Sequence, residues 1–250
     1  MIDPLARTGH CKHSVLPAFK IYQQGGLDCY CGSYATVNTI SFMRQYGPQP
    51  RTPLSNTELI KIIARFDSLH ESLGLLGDLG TEGYQLLPAA GAAFFQAGFK
   101  DARLSLRESI RATTERRKQT QFEQSEEERK LPARIGIELQ QNLQPESGGT
   151  LALAAVYECN HKPDNTWKIS HEDVLGHWVA IVGKGYVPET HSAALDEYNG
   201  IVLDSNRGYE LWRLDGQSGL WLTRPGDPSA SRDIRVWVYS LITIQIDEYS

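Results

Sequence analysis

The sequence predicts an α+β fold, with an N-terminal helical half packed on a C-terminal, mostly antiparallel β-sheet. Two observations carry this. Up to about residue 146 the apolar residues recur at helical spacing, and after it they gather in short β-branched and aromatic runs separated by turn residues. At 250 residues the chain is long enough to bury a substantial core. It shows no internal repeat and no low-complexity tract. We therefore expect one domain over 1–250, made of a polar segment (1–22), a mainly helical half (23–146) and a mainly β half (147–250).

Residues 1–22 hold His10, Cys11 and His13, which with Cys29 and Cys31 invite a metal site. The patterns H-C-x-H and C-x-C do not reproduce the spacings of common structural zinc sites, so no metal or other cofactor is expected. From Gly32, the spacing of Tyr34, Val37, Ile40 and Ser41 predicts a helix that ends near Tyr46 and Gly47, where G-P-Q-P-R-T-P stops it. Ser55 and Glu58 form a capping box, and Leu59, Ile62, Ile63 and Phe66 mark the apolar face of a helix running to about His70. After a Gly-rich loop at 74–83, Leu86, Leu87, Ala90, Phe94 and Phe95 predict a third helix up to Gly98. Leu104, Ile110 and the basic run to Lys118 predict a fourth.

The mixed-charge segment 114–130 has no apolar stripe and reads as an exposed helix or a solvated connection. Residues 131–143 suggest a short helix closed by P-E-S-G-G. The strand half then offers T-L-A-L-A-A-V-Y-E (150–158), H-W-V-A-I-V-G-K-G (177–185), G-I-V-L-D-S (200–205), Y-E-L-W-R-L (209–214) and 234–246.

A net charge of −5 argues against an extended nucleic-acid footprint, which needs a basic face. Four irregularly spaced cysteines, Cys11, Cys29, Cys31 and Cys159, follow an N-terminus without an apolar signal core. Free thiols in a reducing compartment are expected, hence a cytoplasmic protein or one exported without a cleaved signal. No apolar run approaches the roughly 18 residues of a membrane span.

The chemistry concentrates in Q-G-G-L-D-C-Y-C-G-S-Y-A-T-V-N-T-I, residues 24–40. A thiol at the start of a helix feels the positive end of the macrodipole, which favours the nucleophilic thiolate. Such a nucleophile needs a base and a group to orient it. His177 follows Gly176 at the mouth of an apolar strand, with Trp178 beside it to shield the ring, and Asp204 ends the next strand, within range of the Nδ1 proton if the strands are neighbours. Asn206 is the alternative orienter. An oxyanion hole would use the backbone N–H of Cys31 and the side-chain amide of Gln24, with Gln23 as the competing choice. Each residue alone is ordinary, since cysteines are often buried and Asp before Ser and Asn is usual in turns. Their order on these elements is what points to acyl chemistry.

Gln24, Cys31-Gly32 opening a helix with Ala35 and Asn38 on its next turns, Gly176-His177-Trp178 starting a strand and Leu203-Asp204-Ser205 ending the following one together resemble the papain-like cysteine peptidase superfamily. The first window is most similar to a compact bacterial branch with the motif Q-G-x-x-D-x-x-C-G-x-Y. The resemblance implies a papain-like fold and a thiolate–imidazolium pair of Cys31 and His177, oriented by Asp204, with Gln24 in the oxyanion hole. Cys29 stands where that branch commonly has glycine, and the spacing from Gln23 to Cys29 is that of papain-type enzymes, so Cys29 is the rival nucleophile. The expected activity is cysteine-dependent amide hydrolysis of a protein or peptide substrate, most simply as a peptidase. Transglutaminase, deamidase or isopeptidase chemistry uses the same triad, and a catalytically silent binding module is the non-enzymatic alternative. The substrate walls are expected from loops 74–83 and 161–172, the second carrying His171 and Glu172.

Overall fold

A computed structural model describes residues 8–9, 19, 21–23, 30–47, 50–72, 83–108, 150–161, 167–169, 177–192, 195–215, 219–223 and 234–246. The predicted helix at 131–143 and the segment 114–130 lie outside them, as do His10, Cys11, His13, His171 and Glu172. The architecture is α+β. Short strands β1 (Thr8–Gly9) and β2 (Ile21–Tyr22) precede helices α1 (Cys31–Tyr46), α2 (Asn56–Ser72) and α3 (Gly83–Gln96). Then come β3 (Arg103–Glu108), β4 (Leu151–His161), β5 (Trp167–Ile169), β6 (His177–Gly183), a 3₁₀ turn and the short helix α4 (Glu189–Ser192), and finally β7 (Gly200–Asp204), β8 (Gly208–Asp215), β9 (Gly219–Thr223) and β10 (Ile234–Gln245).

Local chemistry explains the helix bounds. The Ser55 backbone N–H donates to Glu58 Oε2 at 2.9 Å while the Glu58 N–H donates to Ser55 Oγ at 3.2 Å, the reciprocal capping box that starts α2. Arg44, near the end of α1, donates to Thr52 O, Glu58 Oε1 and Ala97 O, tying the ends of all three long helices together. The predicted fourth helix is a correction: residues 103–108 form β3, an edge strand paired antiparallel with β10. There Leu104 and Leu106 alternate with exposed Arg103, Ser105 and Arg107, a period of two that fits a half-buried strand.

The main sheet has the order β3-β10-β9-β8-β7-β6-β4-β5. An additional pairing between β10 and β4 joins the sheet to itself, so β4, β6, β7, β8, β9 and β10 curl into a closed ring. Period-two alternation gives the ring two apolar faces. Leu153, Trp178, Ala180, Val182, Ile201 and Leu203 share one core with α1, α2 and α3. Ala154, Val179, Ile181, Val202, Trp212 and Val238 fill the inside of the curl. Among the described residues no helix is long and apolar enough to cross a membrane.

Gly200, where β7 begins, holds this curl tight. The Trp212 indole N–H crosses it to donate to Val182 O at 3.2 Å, and a Cβ at Gly200 would stand 2.6 Å from Trp212 Nε1. Gly200→Ala is expected to break that bond and overpack the ring, costing about 2 kcal/mol or more. In a chain of this size that lowers Tm by roughly 4–8 °C, which a thermal melt checks.

Candidate functional site

α1 begins at Cys31 and is buried around its circumference, from Cys31 to Met43. Its N-cap, Tyr30, makes no side-chain capping bond, and no acidic residue sits in the first turn. Within that first turn no carboxylate offsets the positive end of the helix where Cys31 stands. Gly32 lets the core close against this end. A Cβ there would lie 3.1 and 3.2 Å from the Leu86 methyls on α3 and 3.5 Å from the Trp178 ring on β6. Trp178, expected to shield the imidazole, is fully buried beneath the start of α1.

β6 lies between β4 and β7, and its first residue, His177, is registered with Val156 of β4. His177 Nε2 is 2.8 Å from Asp204 Oδ1 at the end of β7, and the imidazole also hydrogen bonds with the Cys31 side chain. The structure thus brings Cys31, His177 and Asp204 together from a helix start, a strand start and a strand end. One detail differs from expectation: the nitrogen on Asp204 is Nε2, not Nδ1. With Nε2 taken, Nδ1 is the nitrogen left for the thiol.

Asp204 is held by its own turn. Oδ1 accepts the backbone N–H groups of Asn206 at 2.7 Å and Arg207 at 3.1 Å, and Gly208, at a φ of 91°, closes the hairpin into β8. Asn206, the alternative orienter, is exposed and supplies its backbone N–H to Asp204. The Arg207 side chain pairs with Glu158 on β4, so an ion pair spans the strand end that carries His177.

The electrostatics follow from burial and charge together. Burial alone would push the His177 imidazole down, but the hydrogen bonds and charges of Asp204 and Cys31 override it and hold the ring's pKa up at about 10. Burial would push Asp204 up, yet the hydrogen bond and charge of His177, with the two turn N–H groups, keep its carboxyl below the ordinary range. At neutral pH the ring is protonated and both of its nitrogens donate.

Gln24 and Cys29 lie outside the described residues, as do residues 74–82 and 162–166 of the two expected substrate loops. Gln23 is half-buried, directly after β2. The residue that helical periodicity passed over is Asn38. It is fully buried; its Oδ1 accepts the Tyr22 N–H at 2.8 Å and its Nδ2 donates to Tyr22 O at 3.0 Å. The available signal was a carboxamide between Val37 and Thr39, with Ile40 just beyond, on a helix also rich in Ser and Thr, because a polar residue so placed must find partners when the helix is buried.

The proton on His177 links the site to stability. The folded chain keeps it well above the ordinary imidazole value of 6.5, up to about 10. The contribution is therefore full below about pH 6.5 and is lost as pH rises through about 10. For Asp204 the sign reverses: its contribution is present above the ordinary 3.8 and is lost as pH falls through the depressed folded value. Denaturant midpoints of wild type and Asp204→Asn, measured against pH, are expected to differ most between about pH 4 and 6.5 and to converge toward pH 10 and above. A difference independent of pH would show that the pair carries no charge.

Compared with protein-family models and with curated proteins, the chain matches none.

Proposed function

We propose that the protein is a cysteine-dependent amide hydrolase, a peptidase of papain-like arrangement acting on protein or peptide substrates. The observation that carries this is the continuous chain of hydrogen bonds from the Cys31 side chain through the His177 ring to Asp204 Oδ1. A thiol, an imidazole and a carboxylate meet in the order that nucleophile, base and orienter require. In this reading Asp204 keeps the imidazolium in place, and the imidazolium stabilises the Cys31 thiolate.

The thiolate would attack the amide carbon, forming an S–C bond and moving the carbonyl π electrons onto oxygen. The Cys31 N–H and the glutamine amide, Gln24 with Gln23 as its rival, would donate to that oxyanion. Collapse breaks the C–N bond, and the amine leaves with the His177 proton. Neutral His177 then takes a proton from water as it attacks the thioester, which releases the carboxylic acid and restores the thiolate–imidazolium pair.

Selective alkylation tests this reading. The reactive thiol here is expected to take iodoacetamide about tenfold or more faster than the chain's other thiols, and His177→Ala to remove that advantage. Mass spectrometry should place the fast label on Cys31. Fast labelling that survives Cys31→Ala would transfer the role to another thiol, Cys29 first. Unselective alkylation of wild type, no faster at Cys31 than at the other thiols, would instead favour a catalytically silent binding module.

A further inference from the structure

The Asn38 carboxamide has a use that its place in the core does not by itself require. Both of its polar ends are spent on one residue, the backbone N–H and C=O of Tyr22, so it acts as a strand partner for β2. Tyr22 is tied a second time, through a side-chain hydrogen bond with Ser41 one turn further along α1. Phe19, just upstream, packs edge-on against Phe42, with ring centroids 5.7 Å apart. The segment before the glutamines is therefore fastened to the same helix that begins with Cys31.

The spacing along that helix is informative. Asn38 stands two turns beyond Cys31, on the same face and about 10 Å along the axis. Gln23 directly follows the clamped Tyr22, and each residue along the chain carries it at most about 3.6 Å from that fixed point. An oxyanion donor must sit within a few tenths of an ångström of its productive position. A backbone held at both its N–H and its C=O is a fixed point from which that can be achieved.

We infer that Asn38 is a positioning residue for acyl transfer: by pinning Tyr22 to α1 it sets the glutamine that follows against the oxyanion formed at Cys31. This rests on the hydrolase reading above. It makes a separable demand, because alkylation by iodoacetamide displaces iodide from carbon and forms no carbonyl oxyanion, whereas attack on p-nitrophenyl acetate forms one. In the second reaction an S–C bond forms, the ester C–O bond breaks and p-nitrophenolate leaves, and water then hydrolyses the acetyl thioester.

Both rates are to be measured on the full chain for wild type, Asn38→Ala, Asn38→Asp, Gln23→Ala, Gln24→Ala and the double variants. Asn38→Ala is expected to slow p-nitrophenolate release about 10–100-fold, below the hundredfold or more for loss of an oxyanion donor itself. Iodoacetamide labelling of Cys31 should stay within about threefold of wild type. Asn38→Asp keeps the acceptor for the Tyr22 N–H and should fall between the two. Where the relevant glutamine is already alanine, Asn38→Ala should slow release no further, an outcome that a merely structural role would not give. Release as fast in Asn38→Ala as in wild type overturns the inference, and so do equal losses of labelling and release in both Asn38 variants. A wild-type chain that labels at Cys31 but releases no p-nitrophenolate overturns the hydrolase reading and this inference with it.

Discussion

Burial of α1 on every side is the constraint to which the rest of the molecule answers. A helix carrying Thr36, Asn38, Thr39 and Ser41 among its buried residues must satisfy those groups internally, because an unpaired buried donor or acceptor costs about 1–3 kcal/mol, a cost that Ser33 Oγ, without a hydrogen-bond partner among the described residues, does incur. Thr36 and Thr39 bond back to the carbonyls of Gly32 and Ala35. Asn38 and Ser41 are satisfied by the passing strand β2, and the apolar positions by β6, α2 and α3. The requirement that buries the helix also fixes the orientation of its first residue. Cys31 sits at a rigid end, on an element that cannot rock without breaking several buried bonds.

The sequence carried the ends of the elements better than their partners. Cys31 at a helix start, His177 at a strand start and Asp204 at a strand end were legible because each lies where an apolar period meets turn chemistry. The ring nitrogen that faces Asp204 was not, since no local signal encodes a side chain's rotation. β3 was lost for a different reason: Leu104 and Leu106 alternate correctly, but the basic run that follows made the stretch look helical. β9, with only the short G-L-W-L-T, gave too few residues to set a period. The closure of the sheet was beyond local reading altogether. It depends on β10 pairing with β4 along one edge and with β9 and then β3 along the other, with a register shift between Val238 and Ser240.

Asp204 shows that an ordinary structural explanation and a chemical one need not compete. As an aspartate opening a tight turn it accepts two backbone N–H groups, which is common behaviour for that residue. Those same bonds stabilise its charge and aim Oδ1, so the imidazole meets an acceptor that is already ionised and already oriented. The turn needs no extra residue to become an orienter; it needs only a histidine on the neighbouring strand.

Cys31 and His177 lie far apart in the chain, and β10, which completes the ring that holds His177 and Asp204, is translated after every other described strand. During synthesis the thiol emerges long before the imidazole and the carboxylate, and the contacts that join them are among the longest in sequence. A nascent chain therefore carries an unassisted cysteine. The order of translation leaves the thiol without its partners until β6 and β7 have been made.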